Sequence, residues 1–309
     1  MRVMEKSLKI MMTGVTGFVG QTAAPWFVEH GYHVIAASRH APEISGVEFC
    51  PISKINSFTH WGDAVAGVDV VVHLAGRAHQ MNESADDQQL YFETNLDGSV
   101  NLAQQAVKAG VKTFVFISSI SAMLTTSHDE PLNESFACNP VHPYGLSKFK
   151  AEIELQKIAA ASDMKLVILR PPLIYGPCVK GNLASLIRLV RRMPCLPLGG
   201  LTNRRSLLGV KNMASAIEAV ILSEVAAGKI YLVSDGEEIS TSELVARLAK
   251  AYNPSCRIFS MPDWLWNLAR RLPGFNLRVA KLTGSLPVDS SLITREIGWK
   301  APFSMAEQL

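Results

Sequence analysis

Apolar runs and helix-period stretches alternate along the first 170 residues. Residues 8–12 are a short apolar run, residues 18–30 read as a helix, and residues 33–37 as a strand. Val68-Asp69-Val70-Val71-Val72-His73-Leu74 and Thr113-Phe114-Val115-Phe116-Ile117 are β-branched and aromatic runs without regular polar alternation. Parallel strands covered on both faces have this pattern. Between them residues 95–109 are helix-compatible, with Gly110 as the stop. Residues 144–161 form the next helix, and residues 166–169 a strand that Pro171-Pro172 terminates. The order predicts an α/β fold, a Rossmann-type doubly wound parallel sheet over residues 1–170 with its ligand crevice at the carboxyl ends of the strands.

Beyond residue 170 the pattern loosens, with Pro171, Pro172, Pro177, Pro194 and Pro197 interrupting short helices. Residues 171–309 are therefore expected to form mainly a smaller C-terminal substrate lobe, with some segments returning to the sheet. Its candidate elements are residues 183–192, 212–224, 229–233, 241–252 and 263–272. The last is aromatic and basic, bounded by Pro262 and Pro273, and reads as a helix packed against the lobe or a partner subunit rather than on a membrane surface.

A chain of 309 residues with 48% hydrophobic positions has ample material for a large domain and an appended lobe. Its formal net charge of +3, without a block of like charges, gives no support to nucleic-acid binding and leaves room for a mildly positive cleft. The five cysteines are an odd number without a Cys-x-x-Cys pair, which argues against a disulfide framework and a zinc site. They read as buried thiols in a reducing compartment. No apolar run approaches the roughly 20 residues of a membrane span, and the charged start leads at once into a strand, so a cytoplasmic protein without a cleaved leader is expected.

The chemistry concentrates in three places. Thr13-Gly14-Val15-Thr16-Gly17-Phe18-Val19-Gly20 follows a strand and opens a helix, where glycines permit a tight turn and close approach to a pyrophosphate. Tyr144 and Lys148 are four apart on a helix and share a face, so an ammonium is positioned to lower a phenol's pKa toward the range useful for acid/base work. Ser118-Ser119 ends a strand between them. Such a set suits proton transfer at a carbonyl or carbinol oxygen as hydride moves.

The Gly-x-x-Gly-x-x-Gly turn at the start of a chain, with Tyr144 and Lys148, resembles the extended branch of the short-chain dehydrogenase/reductase superfamily, the NAD-dependent epimerase/dehydratase family. That resemblance implies that Ser119, Tyr144 and Lys148 are catalytic. It implies a dinucleotide held by Gly14, Thr16, Gly17, Phe18, Val19 and Gly20, by Ser38 and Arg39 after the second strand, by Leu74, Ala75 and Gly76, and by Asn95, Ser118, Tyr144, Lys148 and Pro171. No carboxylate stands at Ala37-Ser38-Arg39 to bind a ribose 2′-hydroxyl, and Arg39 suits a 2′-phosphate, so NADP is expected, with NAD as the alternative. The acidic residue usual after the third strand is also missing around Cys50-Pro51-Ile52.

Leu169-Arg170-Pro171-Pro172-Leu173-Ile174-Tyr175-Gly176-Pro177, Gly181-Asn182-Leu183, Leu196-Pro197-Leu198-Gly199 and the strand of Arg205 resemble nucleotide-sugar members of the branch. The implied substrate contacts are Ser119, Ser121, Tyr144, Asn182, Leu183, Leu198 and Arg205, with a UDP-sugar as ligand and a homodimer as assembly. Asn212 stands where an aspartate is common and is given no catalytic role. Ile120 and Ser121 occupy the positions of the acidic pair that 4,6-dehydratases need, which disfavours elimination. With Ser121-Ala122-Met123 in place of a Val-Tyr-Gly segment, the sequence is most similar to UDP-N-acetylquinovosamine dehydrogenases. That resemblance implies an NADP-dependent C4-reductase of a UDP-4-keto-6-deoxy-N-acetylhexosamine, with a 4-epimerase holding NAD as the alternative. A non-catalytic nucleotide sensor is a remoter alternative, because Tyr144 and Lys148 are both retained.

Overall fold

The computed structural model describes residues 8–77, 85–124, 127–262, 265–266 and 276–309. Seven parallel strands form the central sheet: β1 (Lys9–Thr13), β2 (His33–Ser38), β3 (Val47–Pro51), β4 (Val70–His73), β5 (Thr113–Ile117), β6 (Lys165–Arg170) and, after an excursion, β10 (Ile230–Leu232). Their order is β10-β6-β5-β4-β1-β2-β3. The reversal of direction between β1 and β4 opens a crevice at their carboxyl ends.

Both faces of the sheet are covered, which explains the unbroken apolar runs. Ile10, Met12, Val34 and Ala36 enter one core, together with side chains from α1 (Gly20–Glu29) and α7 (Val210–Leu222). Met11, Ile35, Ala37 and Val71 enter the other, under α2 (Gly62–Val65), α4 (Gly98–Lys108) and α5 (Pro143–Ala160). The period-two alternation of a strand thus feeds two apolar layers, and each fully buried large side chain contributes about 1.5–3 kcal/mol.

The helix expected over 95–109 begins differently. After α3 (Ala85–Tyr91), residues Phe92–Asp97 form a π-helical turn, and α4 follows without a break. The wider turn places Asn95 in the interior, where a regular amphipathic pattern would not call for an amide.

The C-terminal lobe has its own core, built on Leu183, Ile187 and Val190 of α6 (Gly181–Arg192), on Leu244, Val245 and Leu248 of α8 (Thr241–Tyr252), and on Leu196 and Leu198 of β8 (Cys195–Gly199). β8 pairs with β12 (Arg257–Ser260). A second small sheet joins β9 (Arg205–Gly209) to β7 (Leu173–Tyr175) and β11 (Glu238–Ile239). Short strands with mixed polarity such as these carry no period that singles them out in the sequence. The expected element at 263–272 lies outside the described residues, apart from the pair 265–266.

The expectation of uniformly buried thiols is corrected. Cys256 is buried, Cys50 and Cys138 are half-buried, and Cys178 and Cys195 are exposed, the first on a turn after β7 and the second at the start of the lobe strand Cys195–Gly199. Among the described residues no helix is long and apolar enough to cross a membrane.

Candidate active site

The glycine turn is held by its own backbone. Gly14 adopts φ of 71° and accepts a 2.9 Å hydrogen bond from Gly17 N–H. A Cβ at Gly14 would lie 2.7 Å from Ala75 N, and one at Gly20 would lie 2.3 Å from Gly14 O, so both positions exclude a side chain. The cleft above this turn measures about 390 Å³. It brings together Gly14, Thr16, Gly17, Ser38, Arg39, Leu74, Ala75 and Gly76 of the residues expected from sequence. Ile52, Ser53, Lys54, Ile55, Arg77 and Thr94 complete it and were not foreseen. For Ile52–Ile55 the position just after β3 was the available signal, obscured because no carboxylate marks it.

The other expected cofactor residues lie outside the cleft lining. Phe18 turns toward Gly176, its Cζ standing 3.7 Å from a Cβ built there. Val19 packs against the core beside α1. Pro171 is buried and its carbonyl accepts from Ile120 N–H at 2.9 Å. Ser118 is buried and its hydroxyl donates to Glu152, which leaves it turned away from the cleft.

A chain of hydrogen bonds fixes the loop after β4. Ala75 N–H donates to Thr13 Oγ1 at 3.1 Å, Thr13 Oγ1 lies 2.7 Å from His73 Nδ1, and His73 Nε2 lies 2.9 Å from Ser99 Oγ. Ser99 Oγ in turn donates to Asn95 O at 2.7 Å. The donor directions assign the proton of a neutral His73 to Nε2, with Nδ1 accepting from Thr13. Burial, then the neighbouring Lys148 charge, pull its pKa down from 6.5 to about 3. Below pH 6.5 the unfolded chain binds a proton there and the folded chain does not, so the contribution of His73 to stability declines as pH falls from about 6.5 toward 3, by up to about 1.4 kcal/mol per unit. Urea midpoints measured from pH 7 to 4 should show a shallower acid decline for His73→Asn than for the wild type. Parallel declines would mean that other groups carry the acid sensitivity.

Asn95 connects the cleft to the second half of the site. Its Oδ1 accepts from Arg77 N–H at 2.8 Å, and its Nδ2 donates to Arg77 O at 3.1 Å and to Ser147 Oγ at 3.0 Å. A Cβ at Gly76 would lie 3.0 Å from both Asn95 Oδ1 and Lys148 Nζ, so the glycine adjoins Lys148 directly.

Ser119, Tyr144 and Lys148 do come together at the carboxyl ends of β4 and β5. α5 starts at Pro143, with His142 Nδ1 accepting from Tyr144 N–H at 3.2 Å as the cap. Ser119 caps a short turn by accepting from Ser121 N–H at 3.1 Å, and its side chain neighbours the Tyr144 phenol. The Tyr91 ring meets the Tyr144 ring edge-on, with centroids 5.9 Å apart. Lys148 is buried, donates from Nζ to Ile117 O at 2.9 Å and lies 4.6 Å from the Phe116 ring centroid.

The expected influence of Lys148 on Tyr144 is corrected here. Burial raises the pKa of Tyr144 above 10, and only the bond with Ser119 opposes it. Lys148 spends its hydrogen bond on Ile117, while its own pKa is drawn down to about 8 by burial, with Glu152 opposing. Tyr144 is therefore a protonated phenol in this geometry.

Of the expected substrate residues, Asn182, Leu183, Leu198 and Arg205 lie in the lobe, and Ser121 lies beside the Ser119 turn. Asn182 is exposed on the first turn of α6, whereas Leu183 and Leu198 bury their side chains in the lobe core and leave only backbone for a ligand. Arg205 is half-buried on β9 and donates from Nε to Gly284 O at 2.8 Å. Ser121 is half-buried next to the Ser119 turn. Asn212 is structural: it donates to Asp235 Oδ1 at 2.7 Å and to Phe303 O at 2.8 Å, and accepts from Phe303 N–H at 2.9 Å.

Comparison with known proteins agrees with this arrangement. The model of the NAD dependent epimerase/dehydratase family matches residues 10–234. A UDP-glucose 4-epimerase from Vibrio cholerae is 40% identical over 310 residues, covering 99% of this chain and 94% of its own. Among solved structures, MoeE5 in complex with UDP-glucose and NAD superimposes with a TM-score of 0.77 at 20% identity, covering 97% of this chain and 95% of its own. RMD from Pseudomonas aeruginosa complexed with NADPH gives a TM-score of 0.71 at 22% identity, with 97% and 96% covered. Both likenesses show the fold.

Proposed function

The chain belongs to the NAD dependent epimerase/dehydratase family, in the extended branch of the short-chain dehydrogenases/reductases, and we propose that it is a 4-epimerase of a UDP-hexose or UDP-N-acetylhexosamine. The observation that carries this reading is the convergence of Ser119, Tyr144 and Lys148 at the carboxyl end of β5, with Lys148 Nζ 3.0 Å from a Cβ built at Gly76 of the cleft. The similarity to the Vibrio cholerae UDP-glucose 4-epimerase extends over nearly the whole of both chains and therefore includes the lobe that would hold the sugar. Ile120 and Ser121, lacking carboxylates, keep elimination chemistry disfavoured.

The cleft fits a nicotinamide dinucleotide because side chains are excluded where its pyrophosphate would pass, at Gly14 and Gly20. Such a cofactor, when bound, supplies reversible hydride transfer at C4 of the sugar. With a cationic nicotinamide beside it favouring the phenolate, Tyr144 would accept the proton of the sugar 4-hydroxyl and later return it, Ser119 would orient the same oxygen, and Lys148 would hold the ribose side of the cofactor. Arg205, whose pKa burial lowers, lies on the lobe strand where a diphosphate would neutralise it.

A specific observation favours a second reading, an NADPH-dependent C4-reductase acting on a UDP-4-keto-6-deoxy-N-acetylhexosamine. Arg39 lines the cleft at the end of β2, with Lys54 on the same cleft and no carboxylate at the β2 end. The purified protein assayed for bound nicotinamide and for UDP-glucose/UDP-galactose and UDP-GlcNAc/UDP-GalNAc interconversion without added cofactor separates the readings. Interconversion supports the epimerase. Stoichiometric NADPH consumption with the keto sugar, and no interconversion, supports the reductase. Whichever reaction is found, Arg39→Ala should lower affinity for NADP relative to NAD by about tenfold or more, the worth of a charge-assisted phosphate contact. An unchanged ratio would assign the ribose end to other residues.

A further inference from the structure

Outside the catalytic trio the site contains a buried carboxylate that the reaction does not use. Glu152 is 1% exposed, one helical turn beyond Lys148 on α5. Arg170, at the end of β6 and 3% exposed, donates from Nε to Glu152 Oε1 at 3.0 Å and from Nη2 to Oε2 at 2.5 Å. The Ser118 hydroxyl donates to Oε1 as well. One carboxylate thus joins three elements, and each attachment is adjacent to a catalytic group. Ser118 stands between Ile117, whose carbonyl receives Lys148, and Ser119, which bonds Tyr144. Arg170 precedes Pro171, whose carbonyl receives Ile120 N–H at 2.9 Å and so sets the turn that Ser119 caps.

We propose that Glu152 is a positioning residue that locks Ser119, Tyr144 and Lys148 into one geometry and keeps the Lys148 ammonium charged in the interior. The inference rests on the assignment of those three residues as the reacting set. A buried bidentate pair is not by itself a stabilising feature, since desolvation of two charges offsets their attraction. Its use is in specifying geometry. A second use is electrostatic: Lys148 and Arg170 are both buried cations, and Glu152 lies one helical turn from the first and is hydrogen-bonded to the second. Among the described residues, the titratable groups near them are Tyr144, one turn before Lys148 on α5, His73 at the end of β4, and Cys138, which neighbours Arg170 from the segment before α5. Burial lowers Lys148 toward 8 and Glu152 is what opposes it. Without that charge the ammonium loses its proton at lower pH.

The test compares wild type, Glu152→Gln and Glu152→Asp in two measurements. The first is nicotinamide coenzyme affinity against pH, which needs no sugar. The second is kcat and KM against pH with whichever nucleotide sugar the wild type converts. Glu152→Gln should move the alkaline limb of both profiles down by a unit or more and lower kcat at least tenfold with KM within about threefold. Glu152→Asp should restore the limb, because the charge is kept, while kcat stays below wild type, because the shorter side chain loosens the lock. Superimposable coenzyme-binding profiles for wild type and Glu152→Gln would overturn the inference. So would a uniform loss of affinity with no movement of the limb, the signature of a merely structural role. If Glu152→Gln does not fold, Glu152→Asp decides alone: a limb shifted as far as kcat is lowered contradicts the proposal. A wild type inert toward every UDP-sugar would reject the proposed reaction, and the coenzyme profile would still judge Glu152.

Discussion

Tyr144→Phe is expected to bind coenzyme and nucleotide sugar within about threefold of wild type while kcat falls by about two to four orders of magnitude, the usual worth of a positioned acid/base. Among the described residues the phenol's polar neighbour is Ser119, and its ring is held independently by the edge of Tyr91 and by α5. Removing the oxygen therefore leaves the packing intact and deletes only the proton carrier. Calorimetric titration with UDP-glucose and a single-turnover measurement separate binding from chemistry. Near-normal turnover with intact binding would remove Tyr144 from the mechanism and leave the proposed reaction without its acid. Burial raises the phenol's pKa in the coenzyme-free protein, so its ionisation in the cycle depends on the charge brought by the bound coenzyme. Loss of the Lys148 charge near pH 8 adds a fall in activity on the alkaline side.

The parts of the fold that were legible in sequence are those in which one physical rule dominates. Residues Thr113–Ile117 were foreseen to the residue as a strand, since a run apolar on both faces has one good solution in an α/β protein. Residues 241–252 were named only as a candidate element; the structure makes them a helix that Ser240 and Glu243 open with a capping box. The glycine turn and the Tyr-x-x-x-Lys pair could be placed because their spacing is local. What sequence did not show depends on contacts between distant segments. Glu152 looks like an ordinary helix-surface carboxylate until β6 brings Arg170 to it, and the π-turn at Phe92–Asp97 has no pattern of its own. The direction of the Tyr144 shift was misjudged for the same reason: spacing puts Lys148 on the correct face, but only packing shows that its ammonium turns to Ile117. The lobe's small sheets were missed because strands of two to five residues with glycine, proline and arginine among them carry no detectable period.

Gly145→Ala is the substitution in which helix propensity and tertiary packing oppose each other most clearly. On an isolated helix alanine is favoured over glycine by about 1 kcal/mol. Here a Cβ at Gly145 would stand 2.1 Å from Ser121 O, with Ser121 C at 3.0 Å, and both are backbone atoms that no rotamer change can move aside. Relief requires α5 and the Ser119–Ser121 turn to separate. Tyr144 is the preceding residue on the helix, and Ser121 N–H holds the Ser119 hydroxyl, so that separation opens the Ser119–Tyr144 contact itself. Overpacking of this kind costs about 1–3 kcal/mol. Misplacement of a reacting group by about 1 Å costs on the order of a hundredfold in rate. The variant should therefore melt lower than wild type and lose kcat by about tenfold to a hundredfold, with nucleotide-sugar affinity less affected, because the lobe contacts are remote from the turn. A higher melting temperature together with wild-type kcat would show that the turn yields without cost, and that the register between α5 and the serine turn does not govern catalysis. A lower melting temperature with wild-type kcat would limit the role of Gly145 to packing, and would place the rate-determining geometry at the Glu152 lock instead.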